Sequence, residues 1–391
     1  MTRRFEQLRR VVRPAHVLGL IIALVPAVSA VGSRTSEVDR DGSTRTFLIV
    51  KSDNGIHYGK FEEDCPKNFE LTVEEEFLAS LSPAERERLL KPENAKEYGN
   101  AWKNDFITGP GGENVCNNPK SFVNDPRRRI YNGVSSKVAY GLNLDGTPDG
   151  HATAKTRAHP KFEGLNGEPA VDNQLYRAIG CSKLARGTGP GTHQYLDPFL
   201  IELRGLDDLK NNDHVEMSLY STGDGDVSLK AADGSDLAYQ TFTITRNPRW
   251  RSTVKARIVN GVLESDPIPV MHLHWVMSTW GAFGQVSEHE FRDVRFRLTL
   301  EADGTLTGVM ANYRPLDNIF TVGYCCKGTA STANNDCASE YNTMLAMADG
   351  YPDPATGTYT MISAAQMITG VPVFAVPPPG ETLSAIRTRS K

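Results

Sequence analysis

The sequence has no long apolar run and no excess of basic charge. The 391 residues carry a formal net charge of −4, and an acidic chain is a poor partner for nucleic acid or for an anionic membrane. We therefore expect no nucleic-acid partner. The one basic cluster, Arg127–Arg129, we interpret as a solvated loop. A membrane-spanning helix needs ~20 apolar residues, and the longest apolar stretch, at 17–25, is shorter. We expect no membrane span in the mature chain.

Several signatures of catalysis and cofactor binding are also absent. The chain has no Gly-x-Ser-x-Gly nucleophile elbow, no Cys-x-x-Cys pair and no Cys-x-x-Cys-His haem attachment sequence. Gly109–Gly112 is glycine-rich, but the Lys and Ser or Thr of a phosphate loop do not follow it. We therefore expect no nucleotide cofactor.

The first thirty residues have the three parts of a secretory signal peptide. An arginine-rich start is followed by the apolar stretch 17–25 and by small residues, Val28 and Ala30, at the −3 and −1 positions of a cleavage site. We expect residues 1–30 to be removed and the mature protein to be exported, either periplasmic or secreted. Five arginines and one glutamate in the removed segment contribute +4, so the mature chain has a charge of about −8.

The cysteine content fits this compartment. An even number of cysteines in an exported protein predicts disulfides, although six cysteines allow fifteen pairings that a sequence cannot distinguish. Three cysteines lie in each half of the chain, so at least one bridge must join the halves if all are paired. The disulfide candidates are Cys65, Cys116, Cys181, Cys325, Cys326 and Cys337.

Local signals divide the mature chain into regions. Thr72 with Glu75 forms a capping box that predicts a helix over 73–81, and Ser82 followed by Pro83 predicts a second helix over 83–91. The predicted regions are a disordered lead-in (31–46), a loop-rich region with two short helices and probable disulfides (47–195), a β-sandwich domain (196–375) and a flexible tail (376–391).

Period-two alternation of apolar residues begins near residue 196. It predicts strands at 199–204, 214–220 and 293–300, and Asp303 with Gly304 predicts a hairpin into 305–313. Short helices are predicted at 338–347 and 362–368. The expected fold is therefore mixed, mainly β: an antiparallel β-sandwich or jelly-roll-like core with a small helical and loop-rich N-terminal region.

A pair of histidines provides the first candidate site. On a strand, His272 and His274 point to the same face, and Glu288, His289 and Glu290 lie close enough in sequence to return beside them. Three such ligands can bind Zn²⁺ or Cu. The alternative is that these histidines line the solvent face of a strand.

Residues 272–275 read His-x-His-Trp, and residues 287–289 read Ser-Glu-His. This resembles part of the zinc motif of the α-carbonic anhydrases, in which two histidines of the first element bind zinc. A third zinc ligand of that family lies on the strand after Ser-Glu-His, and residues 291–300 contain no histidine here. The resemblance implies His272 and His274 as zinc ligands, and we do not assign the chain to that family.

The second candidate is a calcium loop. Asp145, Thr147 and Asp149 place oxygen ligands at positions 1, 3 and 5 before a glycine, as in the first half of a calcium loop, and Asn143 adds another oxygen. Position 12 is Thr156 rather than glutamate. A distant carboxylate, such as that of Glu163, Glu168 or Asp172, can complete such a site. The alternative is a Gly/Asp-rich turn that binds no ion.

These observations support two functional hypotheses. The first is an exported, disulfide-stabilised, β-rich protein that binds an unidentified ligand or protein or has a structural role, with Ca²⁺ as its candidate ion. The second is an exported Zn- or Cu-dependent hydrolase or lyase with its site on the His272/His274 strand. A third metal ligand facing these histidines would favour the enzyme.

Overall fold

The computed structural model describes residues 43–109, 111–186, 196–223, 228–277, 285–323 and 336–389. The predicted signal peptide, most of the predicted lead-in, Cys325 and Cys326 lie outside these ranges. The described residues belong to one compact unit. None of their helices combines the length and apolar character that are needed to cross a membrane.

Strands and helices are named here in chain order. The strands are β1 (Arg45–Asn54), β2 (Phe199–Arg204), β3 (Asn211–Ser221), β4 (Thr241–Thr243), β5 (Arg251–Val259), β6 (Val262–Ser265), β7 (Ile268–Met277), β8 (Gln285–Leu300), β9 (Leu306–Pro315), β10 (Gly350–Pro352) and β11 (Tyr359–Val376). The helices are α1 (Phe61–Asp64), α2 (Val73–Ser80), α3 (Pro83–Leu89), α4 (Ala95–Trp102), α5 (Gln174–Ile179), α6 (Lys183–Arg186), α7 (Leu316–Gly323), α8 (Cys337–Met347) and α9 (Leu383–Arg389).

Eight strands form a closed antiparallel barrel. Their order is β1, β2, β3, β5, β6, β8, β9 and β11, and β1 closes the barrel by pairing with β11, for example Phe47 with Pro372. Outside it, β4 runs parallel to β11, β7 pairs with β8 and β10 pairs with β11. The predicted β-sandwich is therefore wrong. Alternation predicts strands equally in both folds, whereas closure depends on pairing between distant residues.

The barrel interior is a packed apolar core. All eight barrel strands contribute to it, with Phe47 on β1, Ile201 on β2 and Phe296 on β8 each about 1% exposed or less. An eight-stranded barrel is just wide enough for side chains to fill. The described interior is therefore a core rather than a ligand-carrying lumen.

The predicted helices were mostly confirmed. Helices α2 and α3 begin after Thr72 and Ser82, whose side chains accept the expected capping hydrogen bonds, and α8 matches the helix predicted at 338–347. The helix predicted at 362–368 is wrong, because these residues belong to β11. Residues Ile362 to Gln366 are all buried, and a strand that is buried on both faces shows no alternation.

The loop-rich region packs on the barrel through α5, α8 and β11, which share a second apolar cluster. Two cysteine pairs lie at disulfide-bonding distance within this second cluster. Cys65 pairs with Cys181, and Cys116 pairs with Cys337, which joins the early and late cysteine groups. In the predicted tail, α9 packs its buried residues Leu383 and Ile386 against a third cluster on the outside of the barrel.

Candidate metal centre

The three predicted histidine ligands do not converge. In the β7–β8 ladder, His272 lies opposite Glu290 and His274 opposite Glu288, whereas His289 lies opposite Leu273. Directly opposed residues share a face of the sheet. His289 therefore lies on the other face from His272 and His274, where it is buried and its ring stacks on that of Phe291.

Glu288 shares the face of the histidine pair, but other groups already bind it. Arg249 donates hydrogen bonds to both of its carboxylate oxygens, and the indole of Trp250 donates a third. His272 Nδ1 lies 3.4 Å from Glu288 Oε1, and the His274 ring contacts the ring of Trp250. Burial lowers the pKa of His272, despite the nearby Glu288 charge. This face is a polar network on the outside of the barrel.

The predicted calcium loop is closed by its own hydrogen bonds. Asn143 Oδ1 accepts from the backbone of Gly146, and Thr147 donates to Asp145 Oδ1 from both its backbone and its hydroxyl. Asp149 is exposed and its carboxylate contacts His151 instead. These oxygens act as turn acceptors, as Asn and Asp side chains do in Asx-turns.

Asp145 instead turns inward and joins a buried group of charged side chains. We call this group the aspartate centre, and its members are Asp145, His159, Lys161, Asp172 and Asp349. The side chains of the three aspartates are fully buried, and those of His159 and Lys161 are 4% and 7% exposed. Within the described ranges, Asp145, His159 and Asp172 form the one group that brings three metal-ligating atoms within 4.8 Å of one another.

Asp172 contacts two other members of the centre, His159 and Lys161. It pairs in an isolated bridge with Leu142, so its carboxylate lies under the 143–147 turn and accepts from the backbone of Leu144 at 2.8 Å. Its other oxygen contacts His159 Nε2 at 2.8 Å and Lys161 Nζ at 2.5 Å. Lys161 Nζ also lies 2.6 Å from Asp145 Oδ1. The lysine ammonium therefore bridges two of the three carboxylates.

Asp349 and Tyr313 complete the centre from the barrel side. Asp349 Oδ1 accepts from the backbone of Ser363 on β11, and Oδ2 lies 3.6 Å from His159 Nε2. Asp349 Oδ2, Asp145 Oδ2 and the hydroxyl of Tyr313 are buried and have no hydrogen-bond partner among the described residues. Burial raises the pKa of Tyr313, and so do the charges of Asp349, Asp172 and Asp145. Tyr313 therefore lies within electrostatic range of these carboxylates.

The centre has a surplus of negative charge. Its three carboxylates face Lys161 and His159, so one negative charge stays uncompensated even when both bases are protonated. Burial raises the pKa of Asp349 to about 6. Burial alone would lower the pKa of His159, but the hydrogen bond to Asp172 and the charge of Asp349 outweigh it and raise that pKa. One further positive charge, on a proton or a cation, would balance the centre.

A second buried ionic cluster lies beside the Cys116–Cys337 pair. The Arg128 side chain is 1% exposed and lies 3.4 Å from both Asp125 and Asp336, and Arg129 contacts Glu76 and Glu70. The interpretation of Arg127–Arg129 as a solvated loop is therefore wrong for Arg128. Its partner Asp336 is more than 200 residues away in the sequence, so local sequence does not reveal the pair.

Sequence reasoning found only part of this site. Asp145 and Asp172 were named for a calcium site, whereas His159, Lys161 and Asp349 belong to no recognised spacing. The sequence carries no signal that separates buried His159 and Lys161 from exposed His151 and Lys155, which lie in the same stretch.

Comparisons with known proteins add no relative. No protein-family model, curated protein or solved structure matches the chain.

Proposed function

We propose that this chain is an exported, disulfide-stabilised binding or structural protein whose aspartate centre holds a divalent cation. The convergence of Asp145, His159 and Asp172 carries the proposal. The unpartnered Asp349 Oδ2, which lies 3.6 Å from His159 Nε2, and the unpartnered hydroxyl of Tyr313 also support it. The predicted signal peptide and the two cysteine pairs support export.

The chemistry of the ligands favours Zn²⁺ over Ca²⁺. Calcium takes oxygen ligands only, whereas an imidazole nitrogen beside carboxylate oxygens suits zinc. Asp145, His159 and Asp172 supply three buried ligands, and Asp349 Oδ2, which lies 3.6 Å from His159 Nε2, is the fourth that we propose. Closed four-ligand sites are structural, and catalytic sites keep an open position. The buried centre therefore favours a structural ion over a metal-dependent enzyme.

Elemental analysis by mass spectrometry tests this proposal. The samples are exported mature protein, an Asp172→Asn variant and a His272→Ala/His274→Ala double variant, all dialysed without chelator. We expect near-stoichiometric zinc in the native protein and the double variant, and loss of zinc from Asp172→Asn. Loss from the double variant alone would instead support the metal-dependent enzyme. Absence of metal from all three after dialysis against zinc would overturn the cation site.

The Lys161→Met substitution tests the centre by a second route. The ammonium of Lys161 lies where it competes with a metal ion for Asp145 and Asp172. Removing it leaves buried carboxylates unpaired, so we expect the metal-free variant to lose about 3 kcal/mol of unfolding free energy. We expect zinc to restore this stability and to bind the variant at least tenfold more tightly than the native protein.

The matched control is Lys155→Met. Lys155 also pairs with an aspartate, Asp293, but its side chain is 62% exposed, and exposed pairs contribute about 1 kcal/mol or less. We expect little change in stability and none in zinc affinity. Weaker zinc binding by Lys161→Met than by the native protein would show that the lysine completes the site rather than competing for it, which contradicts the proposal.

A further inference from the structure

A groove lies on the outer face of the barrel, away from the ligand atoms of the aspartate centre. Its volume is about 530 Å³, within the range of about 300–1,000 Å³ that is typical of small-molecule sites. Its floor is formed by outward residues of β5, β6 and β8, and one wall is the turn at Leu142 and Asn143. We call it the Arg295 groove, after one of its lining residues.

The sheet is irregular at this groove. One edge of β8 pairs first with β7 and then with β6. The β7 ladder ends at the pair Ile268–Val294, and the β6 ladder begins at the pair Glu264–Arg297. Between these ladders the chain passes through Asp266 and Pro267, so the amide of Phe296 donates to the side chain of Ser265 instead of to a backbone carbonyl. The ladder break opens the surface directly beside Arg295.

A second irregularity lies on the other edge of the same strand. The register between β8 and β9 shifts between Arg292 and Arg295, and Asp293 has a φ of 46°. Bulges and strained residues of this kind occur preferentially beside functional sites, where they re-aim a side chain. Both irregularities flank Arg295, which is the first β8 residue after the bulge that pairs again with β9.

Arg295 has hydrogen-bonding capacity that the described residues do not use. One terminal nitrogen donates to the carbonyl oxygen of Asn143 at 2.9 Å. Its Nε is buried without a hydrogen-bond partner. Its neighbours differ, because Arg257 and Arg297 are both paired with Glu264. Arg295 is a guanidinium in the groove for which the described carboxylates supply no ion pair.

The charges of the groove restrict the ligand. Four basic residues face four acidic ones: Lys255, Arg257, Arg295 and Arg297 against Glu168, Asp213, Glu264 and Asp266. Carboxylates around the groove would repel a dianion such as phosphate. A single planar carboxylate matches the fork of one guanidinium and neutralises one charge.

We propose that the Arg295 groove binds a small monocarboxylate, with Arg295 as the residue that receives the carboxylate. This site shares no ligand residue with the proposed cation site. The probes are acetate, benzoate and inorganic phosphate, and the readout is the amide and arginine Nε–H resonances of the full mature protein by NMR titration.

We expect benzoate and acetate to shift the Arg295 Nε–H resonance and phosphate to leave it unchanged. Arg295→Lys keeps the charge but loses the fork, so we expect roughly tenfold weaker benzoate binding, and Arg295→Gln should lose it. The matched control Arg88→Gln removes a paired arginine on α3, outside the groove, and should bind benzoate with native affinity. The Arg88 side chain is 42% exposed, so its loss should leave the fold intact.

Three outcomes would overturn the proposal. The first is that neither carboxylate binds the native protein. The second is that phosphate binds as tightly as benzoate. The third is that Arg88→Gln weakens benzoate binding as much as Arg295→Lys does. If Arg295→Gln does not fold, Arg295→Lys still tests the proposal. The lysine keeps a hydrogen-bond donor near the carbonyl oxygen of Asn143, so we expect this variant to fold.

Discussion

The barrel interior and the loop-rich region bury different kinds of side chain. The interior core, to which all eight strands contribute, consists of apolar residues such as Phe199, Met217 and Leu298. The loop-rich region instead buries many charged groups, including Asp64, which Arg186 binds at 2.6 Å. Both ionic clusters described above lie in this second region or at its contact with the barrel.

The difference follows from how each region provides hydrogen-bond partners for its backbone N–H and C=O groups. Barrel strands bond to one another, so their side chains need no polar atoms. Loops have no such ladder, and side chains take its place: Asn173 Nδ2 donates to the carbonyls of Gly55 and Tyr140, and Asp172 accepts from Leu144. The polar groups that hold the loops are therefore also the groups that can bind an ion.

The largest expected effect is the loss of stability when a cross-link of the loop-rich region is removed, because this change should affect that region and not the barrel. Cys65 and Cys181 are 116 residues apart, and a bridge that closes a loop of this length is worth about 4–5 kcal/mol in the chain-entropy model. We expect Cys65→Ala/Cys181→Ala to lose this much stability. Hydrogen exchange should show faster exchange in α1 and α5, while β2 and β3 stay protected.

If hydrogen exchange became faster by the same factor in β2, β3 and α5, the two regions would unfold together, which would contradict this separation. Chemical denaturation of the same variant then gives the total loss of stability. A double substitution of Cys116 and Cys337 provides a second comparison, because that pair also fixes α8.

The next effect concerns the barrel alone. Phe47 is 1% exposed and lies beside the β1–β11 pairing that closes the barrel. Truncating a buried phenylalanine costs about 3–5 kcal/mol, so Phe47→Ala should lower the unfolding free energy by that amount. The control is Val259→Ala at a position that is 46% exposed on β5. Similar losses for both variants in urea denaturation would contradict a packed interior.

Sequence analysis predicted several individual strands and helices of this fold and missed the closure of the strands into a barrel. Alternation identified β2, β3, β8 and β9, and capping signals identified two helices, because neighbouring residues determine both kinds of pattern. The barrel depends on β1 and β11, which lie at opposite ends of the chain. No local pattern encodes that pairing.

The candidate sites show the same limit. The three histidines were expected to meet, but which residue lies opposite which depends on the register of β7 and β8. His289 opposes Leu273, and a shift of one residue would have placed it on the other face. The aspartate centre combines Asp145, Asp172 and Asp349 from separate parts of the chain. Motif spacing identified only the Asp145 loop.

The smallest expected effect tests whether buried charge in the loop-rich region is a cost. Glu76 on α2 is 5% exposed, and Arg129 contacts it at 2.5 Å. Burial, together with the neighbouring Asp336 carboxylate, raises the pKa of Glu76 from 4.5 to about 9. The folded protein therefore binds a proton that the unfolded chain releases above its ordinary pKa, so stability falls as pH rises from about 4.5 to 9.

Glu76→Gln removes this titration while keeping the size of the side chain. We expect the variant to be more stable than the native protein at pH 8 and nearly equal to it at pH 4, as measured by thermal unfolding across this range. Glu87→Gln on the exposed face of α3 should leave the pH profile unchanged. A variant that is less stable at pH 8 would mean that Glu76 is ionised and that its pair with Arg129 outweighs the burial of its charge. The loop-rich region would then gain stability from its charges, as the barrel does from its apolar core.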